Sequence, residues 1–179
     1  MHAATFNFHE WHEFYLMIGT VAGALVALLF VAVSISVGYL TEERTVANRT
    51  FLTPIIIHFS SIVFLSALAL APEKYPQLIE FLIGLNGLAG GIVAAAVFYR
   101  VWSMHFSGVY VVDHFGYGLA PLIAYLVILA AAICAYRDIE WSAYLLGGGV
   151  VLLMLVNIRN AWDMMLSLVR RTGAAHRDG

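Results

Sequence analysis

Residues 143–169 read AYLLGGGVVLLMLVNIRNAWDMMLSLV, and this stretch decides what kind of fold the chain can adopt. It is long and apolar enough to cross a bilayer as one helix, apart from a polar run at 157–163. In a continuous helix, Asn160, Asp163 and Ser167 share one face, and Arg159 can pair with Asp163 one turn later. Ionisable groups within a bilayer usually point into a bundle or a wet cavity, so other helices must cover this face.

The composition of the whole chain is typical of a polytopic membrane protein. Its 179 residues are 62% hydrophobic and only 11% charged, with a mean hydropathy of +0.87, whereas about a quarter of the residues in a soluble domain are charged. The formal net charge of −2 argues against a nucleic-acid partner. The single cysteine, Cys134, excludes an internal disulfide and a cysteine-based zinc framework.

Five apolar segments predict an all-α fold, a single domain made of a bundle of five transmembrane helices. The predicted spans are 14–37, 54–71, 78–102, 119–136 and 142–169. Residues 1–13 are predicted to lie as an aromatic segment at the membrane interface. The second helix can begin near residue 42, with Pro54 kinking it or marking its entry into the bilayer. The uniformly apolar fourth span favours a position facing lipid.

Basic residues are distributed unequally between the two sides of this five-span topology. The side that carries the C-terminus holds Arg44, Arg49, Arg100, Arg170, Arg171 and Arg177. The opposite side holds only Lys74 and Arg137. Because positive charge is retained in the cytoplasm, this distribution predicts an N-terminus outside and a C-terminus in the cytoplasm.

The same topology collects polar side chains in the cytoplasmic half of the spans. This candidate polar cluster comprises His58, Arg100, Asn157, Arg159, Asn160 and Asp163. If the cluster points inward, it forms a cytoplasm-facing pocket, and loss of Asp163 lowers stability by leaving Arg159 unpaired. If it points outward, the same side chains meet headgroups or water.

The histidine within the second span has three possible roles. His58 can act as a proton relay, as a haem ligand or as a hydrogen-bonded structural residue. A second axial histidine in a matching position is absent from the other predicted spans. We therefore expect no haem, and we predict no other cofactor.

Small residues form two ridges that favour close helix packing. Gly19 and Gly23 lie in the first span, and Gly87 and Gly91 lie in the third. The third-span ridge is expected to pack against the first span or a neighbouring subunit. Asn86, beside it, is expected to form an interhelical hydrogen bond.

A weak metal-binding pattern precedes the first span. His9, His12 and Glu13 fall at i, i+3 and i+4, which could place three ligands on one helical face. Solvated histidines in an interfacial segment explain the same pattern, and we favour that interpretation, with no metal bound.

Two functional hypotheses remain once enzymes are set aside. The chain has no HExxH, GxSxG, GxGxxG or P-loop motif, which argues against an enzyme. The favoured hypothesis is an accessory or scaffold subunit that contacts membrane lipid and self-associates or binds a larger membrane complex. The alternative is an oligomeric ion or proton channel or transporter that uses the His/Arg/Asp cluster, although neither an inverted repeat nor a selectivity-filter sequence is visible.

Three patches of sequence resemble a group of small bacterial membrane proteins. They are 11–15 (WHEFY) with the run 19–35 (GTVAGALVALLFVAVSI), 48–51 (NRTF) and 160–162 (NAW). Some members of this five-helix, largely uncharacterised family are automatically labelled modulator of FtsH protease. The resemblance implies a multi-pass protein of the bacterial inner membrane, and it supplies no catalytic residues.

Overall fold

The computed structural model describes residues 8–36, 42–72, 74–103 and 115–175, and the fold of this part of the chain is all-α. Its five helices, in chain order, are α1 (His12–Ser36), α2 (Glu42–Ala69), α3 (Pro76–Ser103), α4 (Ala120–Tyr136) and α5 (Ser142–Ala175). A π-helical turn, Phe115–Leu119, leads directly into α4. The all-α prediction is therefore confirmed, and α2 does begin near residue 42, with Pro54 inside it.

Within the described residues, four helical segments are long and apolar enough to cross a membrane. They are His12–Ser34, Pro76–Arg100, Gly116–Tyr136 and Ser142–Leu166. The apolar part of α2, Thr53–Ala69, is shorter. These segments agree with the prediction of a multi-pass membrane protein.

Four of the helices, α2 to α5, form a core, and α1 lies beside it. In the core, α2 and α4 each contact both α3 and α5. Helix α1 packs mainly on α2 and touches α5 more lightly. Its buried side chains follow a single narrow face, through Tyr15, Ile18, Ala22 and Leu29. Phe14, Leu25 and Val26 flank this face and are partly buried, and the described residues leave the opposite face of α1 exposed.

Helix α4 occupies the groove between α3 and α5 rather than a position fully exposed to lipid. Its buried face is rich in alanine, including Ala124, Ala131 and Ala135, whereas Leu126 and Ile133 are exposed. The expectation that the fourth span faces lipid is therefore wrong for half of its surface. Uniform apolarity did not distinguish large lipid-facing side chains from small ones that admit neighbouring helices.

The glycine ridge of α3 makes this close approach possible, and its partner is α4. A Cβ atom on Gly87 would lie 3.0 Å from the backbone nitrogen of Leu129, and one on Gly91 would lie 3.8 Å from Cβ of Tyr125. The Tyr125 ring itself lies across Gly90, where an added Cβ would overlap it. The ridge thus packs against α4, and the expectation that it packs against α1 is wrong.

The first glycine ridge divides between two environments. A Cβ on Gly19 would lie 2.8 Å from Cβ of Ser66, so Gly19 brings α1 close to α2. Gly23 has nothing within 4 Å of the corresponding position. Only the first of the two glycines serves packing inside the chain.

A compact turn joins α4 to α5 and sets their antiparallel arrangement. Asp138 adopts a left-handed conformation (φ 55°), which aspartate tolerates better than most residues. Its amide donates to the Ala135 carbonyl at 2.9 Å, and the Ile139 amide donates to the Cys134 carbonyl at 3.0 Å. These two bonds form a Schellman motif that ends α4.

Candidate functional site

A chain of four hydrogen-bonded polar side chains crosses the middle of the helix core. His58 Nδ1 lies 2.9 Å from the hydroxyl of Tyr125, which joins α2 to α4. The Ser61 hydroxyl also hydrogen-bonds to Tyr125, and Asn86 Nδ2 on α3 donates to Ser61 Oγ at 3.1 Å. We call these residues, His58, Tyr125, Ser61 and Asn86, the central polar chain.

The directions of these hydrogen bonds are mutually consistent. Ser61 accepts from Asn86 and can donate to Tyr125, and Tyr125 can then donate to His58 Nδ1. In this direction of bonding, the imidazole proton of neutral His58 is on Nε2. His58 and Tyr125 are almost completely buried, so the central polar chain fastens three helices together where no bulk water competes.

Two buried asparagines on α5 form a second polar layer. Asn157 Nδ2 donates to the backbone carbonyl of Ile55 on α2 at 2.9 Å. Asn160 Nδ2 donates to the carbonyl of Gly116 in the π-helical turn, also at 2.9 Å. The hydroxyl of Tyr117 donates a hydrogen bond to the backbone carbonyl of Asn160 at 2.9 Å. We call Asn157 and Asn160 the asparagine pair.

The Gly116 carbonyl needs this side-chain donor because of the proline that follows. In a π-helical turn a carbonyl bonds to the amide five residues later. For Gly116 that residue is Pro121, which has no amide hydrogen. Asn160 therefore supplies the donor that the helix backbone lacks. A Cβ on Gly116 would overlap the guanidinium of Arg159, so that flexible side chain would have to move aside.

Arg159 and Asp163 form the ion pair that their spacing predicts, but at the surface of the bundle. Arg159 Nη2 lies 3.4 Å from Asp163 Oδ2, and the two side chains are 42% and 38% exposed. A pair this accessible contributes at most about 1 kcal/mol when water surrounds it. We therefore expect a smaller loss of stability on removal of Asp163 than a buried pair would give.

The six residues of the predicted candidate polar cluster occupy three different environments. His58 belongs to the central polar chain, and the asparagine pair lies in the next layer, because Ile55 is one helical turn before His58. Arg159 and Asp163 mark the exposed end of that layer. Arg100 lies exposed near the end of α3. The charged residues of the predicted cluster are thus at the surface of the bundle, and its neutral residues are buried.

The sequence reasoning missed three residues of the site, Tyr125, Gly116 and Tyr117. Tyr125 stands in an apolar run, and the other two precede the predicted fourth span, 119–136. On α5, six of the buried residues alternate in steps of four and three. They are Leu146, Val150, Leu153, Asn157, Asn160 and Met164. This spacing puts Asp163 beside the buried face rather than on it.

The N-terminal segment contributes aromatic packing. Phe8 is buried against Tyr15, with ring centroids 5.8 Å apart, and Trp11 meets Tyr144 of α5 edge-on at 5.3 Å. His9, His12 and Glu13 are exposed. Among the residues that the structure describes, no three His, Cys, Asp or Glu side chains are grouped so as to hold a metal ion.

Buried oxygen atoms without a hydrogen-bond donor are the unusual chemical feature of the site. Each asparagine of the two layers uses its amide nitrogen, while its Oδ1 meets no donor among the described residues; these are Asn86, Asn157 and Asn160. For the asparagine pair the orientation is unambiguous, because the backbone carbonyls they face can only accept. A buried acceptor left unpaired costs roughly 1–3 kcal/mol.

Comparison of the chain with protein-family models, curated proteins and solved structures yields no match.

Proposed function

We propose that the chain is a non-enzymatic accessory or scaffold protein of the bacterial inner membrane that associates with copies of itself. In this proposal it crosses the membrane five times, with its N-terminus outside and its C-terminus in the cytoplasm. The bacterial setting rests on the resemblance of 11–15, 19–35, 48–51 and 160–162 to small inner-membrane proteins. The orientation rests on the distribution of arginine.

The length of α2 supports the proposal that it crosses the membrane in addition to the four longer apolar segments. At 1.5 Å per residue, Thr53–Ala69 is about 25 Å long, slightly less than a hydrocarbon core of roughly 30 Å. The helix continues beyond this segment to Glu42. The contacts of α2 with α1, α3 and α5 support a position in the same layer, and the whole helix, Glu42–Ala69, is about 42 Å long.

The observation that carries the self-association proposal is the uncovered small-residue face of α1. Gly23, Ala24 and Ala27 are exposed, and nothing lies within 4 Å of a Cβ position on Gly23. Small residues four apart let a second helix approach until the two backbones are in contact. Lipid tails pack less closely against such a surface. A second copy of α1 presents the same face, so a two-fold symmetric contact satisfies both.

The hydroxyl groups near this face do not depend on an external partner. Thr20 Oγ1 donates to the Leu16 carbonyl at 2.7 Å, and Ser34 Oγ donates to the Phe30 carbonyl at 2.8 Å. Bonds of this kind return each hydroxyl to its own helix. The contact surface between copies is therefore apolar, and its strength comes from close packing.

Substituting Gly23 with leucine is expected to abolish the dimer, because the larger side chain separates the two backbones. The measurement is the mass of the intact protein released from lipid nanodiscs, with the wild type expected as a dimer and G23L as a monomer. Gly148→Leu is the matched control, since Gly148 is also an exposed helical glycine with nothing within 4 Å. It should keep the wild-type mass.

Two results would contradict this proposal. One is a wild-type protein that is monomeric in nanodiscs at all lipid ratios. The other is a G23L variant that keeps the wild-type mass, since the contact would then lie on another face. If Gly148→Leu dissociates the complex while Gly23→Leu does not, the interface includes α5 instead.

A channel or transporter is the second candidate, and the central polar chain is the observation that favours it. A buried histidine hydrogen-bonded to a tyrosine resembles the proton relays of membrane transport proteins in its chemistry. Reconstituted into liposomes with a pH-sensitive dye, a channel of this type conducts protons, and His58→Ala abolishes the flux. For an accessory protein we expect wild type and H58A to be equally silent.

A further inference from the structure

The asparagine pair and the central polar chain lie in adjoining layers of the described interior, and we call the row of polar groups that they make the polar path. The path begins beside the exposed Arg159–Asp163 pair. It passes Asn160 and then Asn157, whose amide is bonded to the Ile55 carbonyl. One turn further along α2 it reaches His58, and from there it follows the central polar chain to Asn86.

We propose that this path is a binding site for small hydrogen-bond donors, either water or an ammonium-type cation, and that it is open only at its Arg159–Asp163 end. The interior groups along it are Asn160, Asn157, His58, Tyr125, Ser61 and Asn86. The proposal goes beyond self-association and does not depend on it.

The unpaired oxygens define the chemistry of the ligand. Asn157 and Asn160 are 0% and 2% exposed, and their Oδ1 atoms meet no donor within the described part of the chain. Their amide nitrogens are already committed to backbone carbonyls, so these two oxygens must receive a hydrogen bond from elsewhere. An anion has nothing to offer them, whereas water or an ammonium group does.

The charges along the path also favour a neutral or singly charged ligand. The interior ligand groups are amide oxygens, hydroxyls and one imidazole, and the carboxylate that the structure describes beside them, Asp163, is paired with Arg159. Divalent cations bind carboxylate-rich sites. The path suits a small donor that can replace its hydrogen bonds to bulk water with bonds to these groups. Buried water does this when it has about two to four polar partners.

The other end of the path is closed by apolar packing. On α5, the buried face continues from Asn157 through Leu153, Val150 and Leu146, all at 0% exposure. On α4, Tyr125 is followed by the fully buried Ile128 and Ala131. Along α4 and α5, a small polar molecule therefore meets polar side chains on one side of the central polar chain and apolar side chains on the other.

The experiment compares the labelling of buried cysteines by a small thiol reagent, methanethiosulfonate ethylammonium, in a Cys134→Ser background. Asn160→Cys is tested against Leu153→Cys, which lies on the same buried face of α5. Because a thiol reacts only where it ionises in contact with water, we expect Asn160→Cys to react at least about tenfold faster. The faster reaction should occur only in vesicles that expose the C-terminal side.

A second pair on α2 tests the deep end with changes that barely alter side-chain volume. Ser61→Cys lies on the path, whereas Ser66→Cys is equally buried but lies more than one turn beyond it. We expect Ser61→Cys to be labelled and Ser66→Cys to remain unlabelled. This pair remains informative if Asn160→Cys fails to fold.

The identity of the donor is resolved by competition. Choline chloride serves as the salt control. If a cation occupies the path, excess ammonium chloride slows the labelling of Ser61→Cys more than choline chloride does. If water occupies the path, the two salts have the same effect. Labelling of Asn160→Cys no faster than Leu153→Cys, together with unreactive Ser61→Cys, overturns the proposal. So does labelling from the N-terminal side. Gly23→Leu should leave every labelling rate unchanged, which separates this test from that of self-association.

Discussion

Substituting Asn160 with leucine is expected to destabilise the protein by about 2–3 kcal/mol, because it removes the donor to a buried carbonyl. The Gly116 carbonyl receives its bond from Asn160 Nδ2 at 2.9 Å, and Pro121 cannot replace it. Leucine keeps the branched shape of asparagine, so the change removes the hydrogen bond without opening a cavity. The measurement is equilibrium unfolding in mixed micelles, followed by tryptophan fluorescence.

The control for this experiment is the same substitution one turn earlier. Asn157 donates to the Ile55 carbonyl, but that carbonyl lies inside α2 and keeps its own helical donor, Phe59. We expect Asn157→Leu to cost about 0.5–1 kcal/mol, in the range of interhelical hydrogen bonds in membranes. Equal losses for the two variants would show that the π-helical turn does not depend on Asn160.

Substituting Gly90 with alanine is the second change for which we expect a large effect, a destabilisation of about 2–3 kcal/mol from overpacking. The added methyl group would overlap the ring of Tyr125. The ring can relieve this overlap only by moving, and its hydroxyl would then leave His58 Nδ1. Thermal unfolding in detergent measures the loss, and histidine NMR signals report whether the hydrogen bond has broken.

The neighbouring glycine provides the matched control. A Cβ on Gly91 would lie 3.8 Å from Cβ of Tyr125, an ordinary van der Waals distance. Gly91→Ala should therefore be neutral or slightly stabilising, since alanine is the better helix former by about 1 kcal/mol. A Gly90→Ala variant as stable as Gly91→Ala would contradict the close contact between α3 and the Tyr125 ring.

The helices were predictable from the sequence because apolar runs of sufficient length have few alternatives. The 143–169 run, for example, became the larger part of α5, Ser142–Ala175. The beginning of α2 was also predictable from the polar residues that precede Pro54. These features depend on local composition, which the sequence displays directly.

The pairing of helices was harder to predict, because it depends on shape rather than composition. The spacing of Gly87 and Gly91 predicts a close helix contact, but it does not distinguish α4 from α1 as the partner. The alanine-rich face of α4 is complementary to this ridge, and that complementarity is visible only when both helices are placed. The same limitation made the fourth span look fully lipid-facing.

The candidate site was partly predictable, because a polar residue in an apolar run is conspicuous. His58 and the asparagine pair were identified in this way, and all three are buried in hydrogen-bonded positions. Tyr125 was not, because tyrosine is common in apolar membrane segments. Gly116 contributes only a backbone carbonyl, and the need of that carbonyl for a donor arises from a π-helical turn that composition does not signal.

The long sequence separation between Ile55 and Asn157, 102 residues, has a consequence for synthesis at the ribosome. The second helix is synthesised long before its partner α5 exists, so the Ile55 carbonyl receives the Asn157 bond only after α3 and α4 have been made. Bonds of α2 to α5 can form only after the last helix leaves the translocation machinery. We therefore expect nascent chains arrested before residue 157 to be recognised as incomplete and degraded, whereas chains released after α5 assemble.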